Sequence, residues 1–163
     1  MLRLKEIYLF FACNSLEANL REDFSAIARV LFAINDYYCI ALDFVKEVLK
    51  DTSITNVPGT PNFIEGIMNL RGDYITVINL KSFLGLPKNN ISEKKPVIII
   101  KCNELKLALL IDKINELFEY QESFQENNSD SYYANEFIYN KTLYTVLNID
   151  KISSDKSIII TDM

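Results

Sequence analysis

Three cysteines, no histidine and no tryptophan define the chemistry open to this chain of 163 residues. Without imidazole there is no Ser-His-Asp or Cys-His relay, no histidine general base and no imidazole metal ligand. Cys13, Cys39 and Cys102 are odd in number and far apart, lack the close pairs of a zinc or redox site, and are expected to be free and reduced. Glu116, Glu119 and Glu122 read as a solvated face. Paired catalytic carboxylates would need a cleft, and nothing in the sequence places them in one. No metal site and no cofactor is expected. A net charge of -5 argues against a phosphate-neutralising surface, so nucleic acid is not an expected partner. What remains is recognition, and the four glycines, Gly59, Gly66, Gly72 and Gly85, mark where to look because they fall in one short window.

The elements around that window read as short strands. With 49% hydrophobic residues, the chain suffices for one globular domain or two small fused ones. The apolar run Ile7 to Cys13 is far short of the roughly 20 residues of a bilayer-spanning helix, so no membrane insertion is expected. Residues 1–25 loosely imitate a signal sequence ending at Cys13, but the run is short and Glu6 borders it. The preferred reading is an N-terminal strand or helix packed on the domain, with Ser15 as a helix N-cap. Alternation through Ala28 to Ile34 and Tyr38 to Leu42 about Asn35-Asp36 predicts a hairpin. Asp43 to Lys50 fits either a helical turn or a turn feeding a strand. Pro58, Gly59 and Pro61 predict an extended turn, and Gly72 the turn of a second hairpin. Gly85 is expected to cap one helical turn, and a third hairpin surrounds Cys102 to Leu105. The final hairpin turns at Asn140-Lys141. The runs Ile75-Thr-Val-Ile-Asn-Leu80 and Tyr144-Thr-Val-Leu-Asn-Ile149 suggest internal duplication.

The window Val57 to Leu80 contains Pro58-Gly-Thr-Pro61, Phe63-Ile-Glu-Gly66 and Asn69-Leu-Arg-Gly72 before a Val/Ile-rich strand. In this order and spacing it resembles the CheW-like chemotaxis coupling domain, and Leu42 to Leu49 and Leu109 to Ile114 resemble flanking family segments. The resemblance covers about Ala28 to Ile152. Departures are Asn79 and Asn148 where the family often has Asp, Asn135 where it has Gly, and Asn140-Lys141 where it has an Asp-Gly turn. Asn tolerates left-handed backbone, so those turns are expected to survive.

The resemblance implies a mainly β fold of two small five-stranded Src-homology-3-like barrels packed together. The expected division is an extension at 1–25, a domain at 26–152 with subdomains of about 26–87 and 96–152, and a tail at 153–163. It implies a cytoplasmic, non-enzymatic adaptor that couples the cytoplasmic tip of methyl-accepting chemoreceptors to the regulatory domain of the histidine kinase CheA. Carried onto this chain, the receptor-facing groove includes Val45, Glu47, Gly66 and Arg71, with Glu47 paired to Arg71. Val45, Val48 and Ile67 are expected as apolar anchors. Read from the residues alone, Arg71 braces its hairpin. Alternatives are a coupling protein of a surface-motility or other chemosensory-like pathway, a small carboxylate-dependent hydrolase and a lipoprotein.

Overall fold

The computed structural model describes residues 2–3, 28–34, 36–50, 52–87, 95–102, 105–119 and 131–158. Cys13, Ser15, Asn35 and Glu122 lie outside them. The strands are β1 (Leu2–Arg3), β2 (Ala28–Ile34), β3 (Asp36–Ala41), β4 (Val45–Leu49), β5 (Ile64–Leu70) and β6 (Asp73–Asn79), then β7 (Val97–Cys102), β8 (Leu105–Leu110), β9 (Lys113–Glu119), β10 (Tyr133–Tyr139) and β11 (Thr142–Leu147). Single helical turns follow β6, at Leu80–Phe83, and β11, at Ile149–Ser153. The ambiguous Asp43 to Lys50 segment resolves as a 3-10 turn, Leu42–Phe44, feeding β4.

The fold is mainly β and carries the two small barrels expected. One sheet runs β4-β7-β8-β6-β5, with β1 added beside β4, and the other runs β10-β11-β3-β2-β9. The division between them does not fall at the polar 88–95 link. The β2–β3 hairpin joins β9, β10 and β11, whereas the β7–β8 hairpin joins β4, β5 and β6. Each half of the chain donates its leading hairpin to the sheet completed by the other half, so each sheet draws strands from both 26–87 and 96–152. The physical reason is that β4 and β9 each leave the sheet of the hairpin before them, a crossing that alternation within a strand does not encode.

The core explains the strand composition. Val97 and Ile99 of β7 pack with Leu49, Met68, Leu70, Ile75, Val77, Ala108 and Leu110. Ile98 and Ile100 face the other way, into the larger cluster shared with Tyr38, Ile40 and Leu147 of the second sheet and with Ile149 of the helical turn after it. From Val97 to Ile100 β7 is buried on both faces and so is apolar at each of these positions, which is why this run shows no alternation. The second sheet has its own interior of Cys39, Phe137, Tyr144 and Val146.

The duplication is structural as well as textual. Both later hairpins close through two residues with positive φ, Arg71 (55°) and Gly72 (96°), then Asn140 (47°) and Lys141 (63°), the signs required by a type I′ turn. Both then end on an asparagine N-cap: Asn79 Oδ1 accepts from Ser82 N at 3.2 Å, and Asn148 Oδ1 from Lys151 N at 3.0 Å. An amide oxygen caps a backbone N–H as a carboxylate does, so the missing charge at both positions leaves the capping role intact.

Candidate functional site

Glu47 lies on β4 and Arg71 opens the β5–β6 turn. These strands stand at opposite ends of the five-strand order, so the bond from Arg71 Nη2 to Glu47 Oε2, at 3.0 Å, spans the seam of the first barrel. Glu47 is 2% exposed and Arg71 45%. The pair is therefore a buried carboxylate holding a half-solvated guanidinium at the barrel mouth. The second carboxylate oxygen, Oε1, is buried with no hydrogen-bond partner among the described residues. Arg71 occupies a left-handed position that favours Gly, Asn or Asp, at a cost on the order of 1 kcal/mol. Gly72 N donates to Asn69 Oδ1 at 3.0 Å and completes the turn.

Below the pair, the seam is closed by backbone. Thr55 and Ile67 exchange two bonds, of 2.8 and 2.9 Å, across β5. Gly66 makes this approach possible: at φ +146° its missing Cβ would sit 2.1 Å from the Thr55 carbonyl oxygen. Gly66 is buried, and its place in the fold is the seam. Val45 is 1% exposed and lies with Val48 in the core shared by the two sheets, while Ile67 is half-buried. Of the four residues expected in one groove, the structure brings together Glu47 and Arg71, and only Arg71 presents surface. Val45 and Val48, expected with Ile67 as apolar anchors of the groove, are both buried, because the inter-sheet core takes their side chains.

The turn residues fall where the sequence places them. Gly59 follows Pro58 with φ +80°, Thr60 Oγ1 donates to the Val57 carbonyl at 2.8 Å, and the Pro61 carbonyl accepts from Ile64 N at 2.9 Å. Tyr74, three residues beyond Arg71 and 75% exposed, was not singled out by sequence reasoning. Its signal was available: an aromatic residue placed straight after a turn, before the buried alternation resumes. Asn69 stands opposite it on β5, and the neighbouring Asp73 pairs with Lys106 at 2.6 Å.

A second polar cluster fastens the crossover. Lys81, in the helical turn after β6, has a side chain only 4% exposed, and its Nζ lies 2.7 Å from Asp112 Oδ2. Lys95, which leads into β7, reaches Oδ1 of the same carboxylate at 3.1 Å. Burial pushes the Asp112 carboxyl upward, but bonds and attraction from the two ammonium groups outweigh it and hold the carboxyl below its usual range. Asp112 lies between β8 and β9, where the chain leaves one sheet for the other. Elsewhere, burial and then Asp150 push the Cys102 thiol up, against a smaller opposing hydrogen bond with Ser153.

On the second sheet, Ile138 and Leu143 stand directly opposite each other on β10 and β11 and are 72% and 53% exposed. They occupy the hairpin positions that Asn69 and Tyr74 hold in the first. Beside them a hollow of about 580 Å³ is lined by Tyr37, Tyr38, Tyr133, Glu136, Lys141 and Leu143, among others.

The two-sheet fold has counterparts among known proteins. Residues 30–157 match the family described as the CheW-like domain, and the chain belongs to that family. It is 33% identical over 95 residues to the chemotaxis protein CheW of Bacillus subtilis (strain 168), covering 58% of this chain and 61% of that one. The chain thus spans less than two thirds of that relative. The chemotaxis protein CheW of Helicobacter pylori (strain ATCC 700392 / 26695) is 27% identical over 130 residues, with 74% and 78% covered. The crystal structure of the scaffolding protein TtCheW from Thermoanaerobacter tengcongensis superposes with a TM-score of 0.67 at 29% identity, over 75% of this chain and 88% of that one.

Proposed function

We propose that this chain is a cytoplasmic adaptor, without chemistry of its own, that couples chemoreceptor cytoplasmic tips to the regulatory domain of the histidine kinase CheA. The observation that carries the reading is the Glu47–Arg71 pair. It lies within the segment matching the family, and its buried carboxylate holds a guanidinium that is half-exposed, with the exposed Tyr74 three residues further along the chain. A planar multi-donor group with an exposed aromatic neighbour suits capture of a polar helical surface. Val45, Glu47 and Gly66 act from beneath, by packing, charge and seam closure, and Arg71 makes the direct contact.

The kinase contact is assigned to the β10–β11 hairpin, because Ile138 and Leu143 form an exposed apolar pair flanked by Glu136 and Lys141. A pull-down scored separately for a receptor-tip fragment and for the kinase regulatory domain tests both assignments. Arg71→Gln is expected to lose receptor and keep kinase, and Ile138→Lys the reverse. Binding of neither partner by the unaltered chain refutes the reading.

A further inference from the structure

The β10–β11 hairpin presents a pattern as well as an apolar pair, and the inference drawn from it rests on the kinase reading above. Its two faces differ. Phe137 and Tyr144 stand opposite each other and turn into the barrel interior. Ile138 and Leu143, the next pair along, turn the other way and are 72% and 53% exposed. Pairing places Glu136 and Thr145 on that outer face, with Tyr38 of β3 beside Thr145. Tyr38 and Leu147 share the face, yet both are buried in the core formed with the first sheet. The outer face is therefore one surface that the first sheet covers at one end and leaves bare at the other. The hollow of about 580 Å³ lies between, lined by Tyr38 from the covered end and by Glu136 and Leu143 from the bare one. The matching hairpin of the first barrel has Asn69 and Tyr74 where this one has Ile138 and Leu143, so the hairpin geometry itself does not demand aliphatic residues there. Two opposed aliphatic side chains left in solvent beside a covered interface mark a surface that a partner completes.

The charges around the pair are ordered. Glu136 precedes Ile138 on β10, and Lys141 follows it in the turn, so an acid and a base bracket the apolar pair from opposite ends. Both are exposed residues, and among the described residues neither forms an ion pair. We propose that the kinase segment seated on this hairpin carries the inverse order: a basic residue against Glu136, an aliphatic or aromatic side chain over Ile138 and Leu143 that reaches the hollow, and an acidic residue against Lys141. The apolar centre supplies affinity, and the two flanking charges fix the direction in which the segment lies, because a segment turned end for end would bring like charges together.

The test titrates the full chain with the kinase regulatory domain by calorimetry, at low and at high salt, using Glu136→Lys, Lys141→Glu and the double variant. Urea unfolding midpoints serve as the fold control. The two single reversals move the net charge in opposite directions, so steering by overall charge would weaken one and strengthen the other, whereas local matching weakens both. Each is expected to weaken binding about tenfold at low salt, with a smaller loss at high salt, and the double variant, whose net charge is unchanged, is expected to weaken it most. Opposite effects of the two reversals, or no effect of either while Ile138→Lys still loses the kinase, overturn the charge order and leave the kinase reading intact. No binding by the unaltered chain overturns the kinase reading and the charge order with it. Self-association of the unaltered chain that Ile138→Lys abolishes and the kinase domain does not compete away assigns the surface to a second copy and overturns both.

Discussion

Arg71→Ala isolates what the clasp contributes. The substitution removes the one described hydrogen-bond partner of a carboxylate that is 2% exposed, and the other oxygen of that carboxylate already has none. Stripping one member from a fully buried pair costs about 3–5 kcal/mol, because the remaining charge is uncompensated. Here the guanidinium is 45% exposed, so water reaches its side of the pair and screens it. The expected loss falls to about 2 kcal/mol. Alanine at φ +55° inherits the left-handed strain, so nothing is recovered in the turn. Glu47→Gln keeps the shape, removes the charge and should cost only about 1 kcal/mol. Combining the two should be less damaging than their sum, by about 1 kcal/mol or more, since the pair is counted twice in the singles. Urea unfolding followed by circular dichroism reads this directly. With a slope near 2 kcal/mol/M, Arg71→Ala should lower the midpoint by about 1 M with the slope unchanged. A shift smaller than about a quarter of that, or strictly additive singles, would refute the idea that Glu47 depends on Arg71.

Gly66→Ala forces the Thr55 carbonyl away from β5 and should cost about 3 kcal/mol from two lost backbone bonds plus residual strain, measurable as a lower unfolding midpoint; a loss under about 1 kcal/mol would show that the seam yields cheaply. Asn148→Ala removes an N-cap and should cost about 1 kcal/mol, whereas Asn148→Asp should restore it, as thermal melts of the three proteins will show. Asp112 has a carboxyl held below its unfolded value, so its stabilisation is fully present above about pH 4 and is lost as pH falls through the depressed folded value. Asp112→Asn should therefore lower stability near pH 7 and shrink the difference between neutral and acid conditions. A variant with an unchanged acid limb would count against the cluster.

The legibility of this protein was uneven for physical reasons. Turns were readable because backbone geometry restricts residue choice: Gly59, Gly72 and Asn140 all adopt positive φ. Family-specific spacing led to Glu47 and Arg71, and the structure joins them at 3.0 Å. Val45 enters the groove only through the family resemblance, which carries no sign of which face of β4 is covered, and here a second sheet covers it. β7 hid its two-sided burial in a run without period. Tyr74 was passed over because a tyrosine on a strand is usually half-buried, and only the end of the hairpin leaves it in solvent. The exchange of hairpins between sheets was the least readable feature, since it depends on where β4 and β9 go after leaving their neighbours.

That exchange means that a cut made between Pro87 and Pro96 divides both barrels. A fragment ending there would hold β2 and β3 with no partner sheet, and β4, β5 and β6 without the β7–β8 hairpin that separates β4 from β6 in the strand order. The later fragment would lack the complementary pieces. Neither has a complete barrel to fold around, yet together they contain two. Fused to separate carriers, the halves are expected to restore both sheets only on meeting, so that their reassembly would report that the carriers have met.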